Sequence, residues 1–282
     1  MPQAAGLHRP ARWLSWAARS GCCSQAGRIF CRTRPGICPA GFAAAAALCH
    51  TGRRNHPDAP GRQTDARPVH TGSLFEIEAD SLRVVSVDGS RLALRCEEIH
   101  SPETSQFVVP GKTLGEVLKL LKDEDTPLSL AVGRRHIVLE IDGYAVISRL
   151  LDGEFLPYRK AIPQQTTTTI RVKTRELIDA VERASLVIND RLKSPLICDF
   201  RDGHINLSCT TPLGSANDRI DVQIEGQEEE MGFNSRFLLD ALKNAETDEV
   251  RIELSGALSP MKVLPAAGES FLFLVLPVRL KK

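Results

Sequence analysis

One helical pattern recurs at a fixed spacing: Lys112-Thr-Leu-Gly-Glu-Val-Leu-Lys-Leu120, Lys173-Thr-Arg-Glu-Leu-Ile-Asp-Ala-Val181 and Asn234-Ser-Arg-Phe-Leu-Leu-Asp-Ala-Leu242 stand 61 residues apart. Each follows a short apolar run, and each has a Thr or Ser near its start that is expected to cap the helix. Each then sets apolar residues at helical spacing, such as Leu177, Ile178, Val181 and Ala184. A period of this size marks a copied supersecondary unit, and one unit cannot bury its own apolar face. The fold must therefore be an array.

Between the helices the pattern switches to strands. Strands are predicted at 74–78, 82–87 and 92–99, then at 107–110 ahead of the first helix, and at 128–132, 136–141 and 144–147 after it. The second helix is followed by predicted strands at 196–200, 205–209 and 219–224, the third by 250–254, 261–264 and 270–276. Asp88-Gly89 and Asp142-Gly143 read as hairpin turns rather than as catalytic carboxylates. The unit is thus strand, helix, three strands, and the expected class is α+β, with helices on one face of antiparallel sheets. Counting gives three complete units and a leading half unit over 74–100 that lacks its strand and helix.

The missing pair falls on a head of different composition. Residues 1–60 hold eight Arg, no Lys, a single acid, both Trp and five of the eight Cys. Such a head is compatible with an organellar transit peptide, with a zinc or disulfide module, or with GC-rich DNA translated out of register. Cys22, Cys23, Cys31, Cys38 and Cys49 show no paired ligand spacing. The unit count favours the third reading, with disorder the structural expectation for the head.

Composition excludes several function classes. The chain of 282 residues is 42% hydrophobic, enough for real cores, and its net charge of +1 does not mark it as a nucleic-acid binder as a whole. No apolar run reaches the roughly 20 residues of a membrane helix. No nucleophile elbow, phosphate-cradling Gly-rich loop or HExxH appears, so no catalytic residue, cofactor or metal is expected. His136 and His204 open strands beside Gly turns, where solvated imidazoles are expected. Cys96, Cys198 and Cys209 lie in predicted strands as small core residues, which suits a reducing, cytoplasmic compartment.

From about residue 65 to 280 the chain resembles the bacterial DNA polymerase III beta subunit, the sliding clamp. The resemblance is carried by Val87-Asp-Gly-Ser-Arg-Leu-Ala93, Leu151-Asp-Gly-Glu-Phe155 with Tyr158-Arg159, Gly232-Phe-Asn234, and Leu276-Pro-Val-Arg-Leu280. In that family each subunit has three domains of two units, and two subunits close head to tail around duplex DNA. The resemblance implies an unrelated head at 1–64, an incomplete middle domain at 65–164 and a whole C-terminal domain at 165–282, with the first domain absent.

It also implies a function without chemistry: a processivity factor that tethers the replicative polymerase to duplex DNA and binds partner peptides between its last two domains. The alternative is a truncated, non-encircling adaptor or inhibitor that captures clamp-binding peptides. By resemblance the peptide groove comprises Val87, Gly89, Arg91 and Leu92; Leu156, Lys160 and Ala161; Asn234, Phe237, Leu258 and Pro260; and Leu274, Leu276, Pro277, Val278 and Arg279. Lys112, Lys119, Lys173, Arg175, Arg183 and Arg236 are expected to face DNA, holding phosphates without reading bases. Expected partners are the polymerase, the clamp loader and repair proteins. The sequence departs from the family pattern at Leu156, where Pro is usual, at His70, where an apolar residue is usual, and at Lys281 and Lys282 beyond the usual end.

Overall fold

The structure, a computed structural model, describes residues 68–99, 101, 103–121, 128–188 and 194–280. The head reading at 1–64 lies outside the described residues, as do Lys281 and Lys282. A 3-10 turn at Pro68–Thr71 leads into β1 (Gly72–Ile77), β2 (Ser81–Val87), β3 (Arg91–Glu98) and β4 (Ser105–Pro110). Then come α1 (Gly111–Leu120), β5 (Leu128–Val132), β6 (His136–Ile141), β7 (Tyr144–Arg149) and a second 3-10 turn at Tyr158–Ala161. The C-terminal half runs β8 (Thr168–Lys173), α2 (Thr174–Ala184), β9 (Leu196–Arg201), β10 (His204–Thr211), β11 (Gly214–Asp221) and β12 (Gln223–Gly226). It ends with β13 (Glu229–Phe233), α3 (Ser235–Lys243), β14 (Glu249–Leu254), β15 (Met261–Pro265) and β16 (Phe271–Val275).

The strands form three antiparallel sheets, ordered β12-β8-β14-β15-β16-β3-β2-β1-β4, β11-β10-β9-β13 and β5-β6-β7. No unit closes its own sheet. β13 leaves its unit to pair with β9, and β8 leaves its unit to pair with β14, while β4 pairs with β1 in the same manner as β13 with β9. The core of the C-terminal domain lies between its helices and both its sheets: Leu177, Val181 and Ala184 of α2 and Leu238 and Leu242 of α3 meet Phe200, Leu207, Ile252 and Phe273. A separate core gathers Leu114 and Val117 of α1 with Phe75, Phe107 and Leu139.

Two local expectations are corrected. The Thr and Ser at the helix starts do not cap. Thr113 lies inside α1 and bonds Ser148, Thr174 donates to the Thr247 carbonyl at 2.5 Å, and α3 is capped instead by Asn234, whose side-chain oxygen accepts from the Arg236 N–H at 3.0 Å. The strand predicted at 219–224 begins earlier, at Gly214, and the chain changes sheets after Asp221. The apolar signal of Ile220, Val222 and Ile224 spans two strands, whereas β11 is a polar strand with mostly exposed side chains.

The linker between the domains is anchored by a buried lysine. Lys262 on β15 reaches Glu253 on β14 at 2.5 Å, Thr166 Oγ1 at 3.1 Å and the Pro163 carbonyl at 3.3 Å. Burial by itself would push the Glu253 carboxyl up, but the Lys262 hydrogen bond and charge, with help from Thr166 and Arg251, outweigh it and hold the group below its ordinary 4.5. Its stabilisation is therefore complete above pH 4.5 and is lost as pH falls through the depressed value. Lys262→Met is expected to cost roughly 2 kcal/mol at neutral pH, and the difference from the parent in urea unfolding should shrink steadily below pH 4.5.

The cysteines agree with a packing role. Cys198 and Cys209 are buried, Cys96 is half-buried, and all three are free thiols. Burial pushes the Cys198 thiol up to about 12 and also raises Cys209. Mass-spectrometric mapping of alkylation at pH 8 should show both modified at least ~100-fold more slowly than unfolded chain, since the thiolate is the nucleophile.

Candidate functional site: an apolar junction between two domains

The two domains share one sheet because β16 of the second pairs with β3 of the first, Phe271 opposite Arg95, Phe273 opposite Ala93 and Val275 opposite Arg91. Two buried arginines brace this seam. Arg91 donates to Asp88 at 2.6 Å and to Asp240 of α3 at 2.5 Å, and its guanidinium lies 4.6 Å from the centroid of the Phe237 ring. Arg95 bonds Glu97 at 3.0 Å and Glu246 at 2.9 Å. A buried guanidinium is tolerable when carboxylates take up most of its fork, as here, although Arg95 Nη1 is buried without a hydrogen-bond partner.

Beside the seam an apolar cluster forms from Val85, Leu92, Val108, Phe155, Tyr158 and Leu274, with Val87, Leu156 and Leu272 packed against it. Four expected groove residues thus meet: Val87, Leu92, Leu156 and Leu274. Leu274 is sealed at 1% exposure, so it serves as floor rather than as open wall. The open apolar surface lies past the end of β16, where Leu276 is 41% and Val278 43% exposed. The Leu276 N–H is fixed by the Ser90 carbonyl at 3.0 Å, and Val278 is held on the β13 edge by the Gly232 carbonyl at 2.7 Å. Leu280 packs where a Cβ on Gly232 would stand. Pro277 is half-buried and Arg279 exposed.

The remaining expected groove residues divide. Gly89, at φ +83°, forms the turn of the β2–β3 hairpin and leaves open space above it. Pro260 and the 74% exposed Leu258 lie in the β14–β15 connection, entering next to Met261, which pairs with Val275 at the same end of the sheet. Asn234 caps α3, and Phe237 is half-buried under Arg91. Lys160 and Ala161 are exposed on the second 3-10 turn.

A cavity of about 670 Å³ adjoins the junction on its middle-domain side, lined by Glu76, Phe107, Arg134, Phe155 and Tyr158 among others. It shares Leu156 and Lys160 with the expected groove and does not reach Leu276. In its wall the Tyr158 hydroxyl donates to Glu76 at 2.7 Å; burial, reinforced by this carboxylate, pushes the phenol up. His70 stands edge-on to Phe155 with ring centroids 6.1 Å apart, filling the position where an apolar residue was expected.

The residues expected to face DNA all lie exposed on or beside the three helices. Most are matched by neighbouring acids: Lys119 with Glu116 at 2.8 Å, Lys173 with Glu176 at 2.7 Å, Arg175 with Asp179 at 3.1 Å and Arg183 with Asp218 at 2.7 Å. Lys243 of α3 also bridges to Glu182 of α2 at 2.6 Å. His136 is exposed as expected, whereas His204 is held by Asp221 at 3.0 Å and contacts Arg219.

Asp240 and Ser90 contribute to the junction without having been singled out from the sequence. Both act through backbone or ion-pair contacts with residues already quoted, and the Asp240 partner is 149 positions away.

Comparison with known proteins bears on the same two domains. Residues 61–157 match the model of the DNA polymerase III beta subunit central domain, and residues 159–279 that of its C-terminal domain. The beta sliding clamp of Vibrio cholerae is 31% identical over 218 residues, covering 77% of this chain and 59% of the relative, so the chain spans less than two thirds of that protein. A crystal structure from Eubacterium rectale, assigned as a DNA polymerase III beta subunit, superposes with TM-score 0.77 at 30% identity over 91% of this chain and 67% of its own. The Pseudomonas aeruginosa sliding clamp solved bound to griselimycin superposes with TM-score 0.73 at 27% identity, covering 86% and 64%. Interlocked units, a shared sheet across the junction and both matched domains agree: the chain belongs to the DNA polymerase III beta subunit, or sliding clamp, family.

Proposed function

We propose that this chain is a non-catalytic replication scaffold that captures short peptide motifs of the polymerase, the clamp loader and repair proteins at the junction of its domains, and that tethers them to duplex DNA when assembled into a ring. The observation that carries the reading is the row of exposed apolar side chains, Leu276, Val278 and Leu258, at the end of a sheet whose floor is sealed by Leu92 and Leu274. A peptide can fill such a site with one or two apolar anchors. That a clamp relative has been solved with griselimycin bound supports ligand uptake by this fold.

The helix surface supports a weak and sequence-independent hold on DNA. Cations neutralised by adjacent acids leave a modest field, which suits phosphate contact without base readout. The proposed domains are a middle domain over 65–164 and a C-terminal domain over 165–282.

Fluorescence anisotropy with a labelled Gln-Leu-x-Leu-Phe peptide tests the groove on the 282-residue chain. Saturable binding is expected, weakened at least ~10-fold, about 1.4 kcal/mol, by Leu276→Asp and similarly by Val278→Asp. Because both side chains are only about two-fifths exposed, some loss of thermal stability is expected, and a near-native far-UV circular dichroism spectrum at the assay temperature separates it from loss of binding. A folded sample that fails to bind would overturn the reading. Binding to linear duplex should stay in the ~10⁻⁴–10⁻⁶ M non-specific range at physiological salt, independent of sequence. A submicromolar, sequence-dependent affinity would contradict it.

A further inference from the structure

Arg91 joins a hairpin of the middle domain to a helix of the C-terminal domain, and its surroundings give Asp240 a role in binding without contact to a ligand. The Arg91 side chain is 2% exposed, so its guanidinium does not itself meet an incoming peptide. Asp88, three residues back on the same hairpin, accepts from Nε at 2.6 Å, while Asp240 on α3 accepts from Nη1 at 2.5 Å. A planar fork held at two corners is fixed in orientation as well as in place.

That orientation matters because of what lies against the plane. The guanidinium carbon stands over the Phe237 ring, 4.6 Å from its centroid. Phe237 and Asp240 are three residues apart on α3, so they are neighbours on one side of the helix. Phe237 packs against the C-terminal core but stays only half-buried, which leaves part of its surface to solvent. Asp240 thus holds the cation that covers the ring of its own helical neighbour.

The main chain ties the same arginine to the exposed end of β16. Arg91 pairs with Val275 across the seam, and the carbonyl of the preceding Ser90 accepts from the Leu276 N–H at 3.0 Å. The step Ser90-Arg91 therefore governs the Phe237 ring through a side chain and the Leu276 surface through its backbone.

We propose that Asp240 is a positioning residue for peptide capture: by pinning Arg91 from the helix side, it sets the Phe237 ring as a wall for an apolar anchor of the peptide. The inference rests on the peptide-binding reading above and deepens it. Without the Asp240 charge, Asp88 draws the fork toward the hairpin and off the ring. Phe237 then loses the contact that fixes its place, although every side chain expected to touch the peptide is still present.

Fluorescence anisotropy of the labelled Gln-Leu-x-Leu-Phe peptide on the 282-residue chain tests this with Asp240→Asn, Asp240→Glu and Phe237→Ala. Asp240→Asn is expected to weaken binding ~10-fold. Asp240→Glu keeps the charge but is longer by one methylene, so its urea unfolding should stay near that of the parent while binding falls about threefold. The double variant Phe237→Ala/Asp240→Asn should bind no more weakly than Phe237→Ala alone, because residues acting through one contact are not additive. Losses that multiply in the double variant, or a Glu variant that binds as the parent does, would overturn the positioning role. If Asp240→Asn does not fold, Asp240→Glu carries the test by itself. A parent that binds with both Asp240 variants unaltered sinks this proposal alone, whereas a folded parent that binds no peptide sinks the groove reading and this proposal with it.

Discussion

The antiparallel pairing of β16 with β3 is the constraint on which the rest depends. It joins one sheet of each domain into a shared nine-stranded sheet and fixes where each side of the junction stands. Backbone pairing alone would leave the α3 side free to tilt. Arg91 prevents that by reaching Asp88 on its own hairpin and Asp240 on α3 at once, and Arg95 does the same with Glu97 and Glu246. Each arginine is costly to bury and cheap only in the assembled junction, which makes the domain arrangement specific rather than merely stable. The apolar surface at Leu276 exists because the sheet ends there, with its first residue pinned to Ser90 across the seam.

Interlocking of the units decides how each sheet edge is covered. In the C-terminal domain β8 covers the outer edge of β14, its neighbour unit's strand. Among the described residues β5, the counterpart of β14, has β6 as its partner and nothing in the place of β8. The middle domain is held instead by a second device that both domains share. The segment following the last strand returns to the β4 or β13 edge, with Leu151 donating to Val108 at 2.9 Å and Val278 to Gly232 at 2.7 Å.

The array was legible because helical spacing survives copying: Leu177, Ile178, Val181 and Ala184 are buried as their pattern requires. Capping was misread because Thr174 has a stronger use, its hydroxyl satisfying the Thr247 carbonyl on the segment before β14. β11 was misplaced because Gly-Ser-Ala-Asn-Asp carries no apolar alternation, and what it does carry is an edge and an ion pair to α2 through Asp218. At the junction the local motifs around Arg91 and Leu276 could be read, but the contacts that give them meaning could not. Arg91 meets Asp240 across 149 positions and Lys262 meets Pro163 across 99, and no local pattern encodes either.

The charge distribution over the helices bears on what a clamp-family scaffold needs from its geometry. Lys119, Lys173, Arg175 and Arg183 each have an acid within about 3 Å, so the outward field of the helices is small for the number of cations present. A protein holding duplex DNA through such a surface cannot rely on affinity, since exposed ion pairs of this kind leave little unbalanced charge and salt screens the remainder.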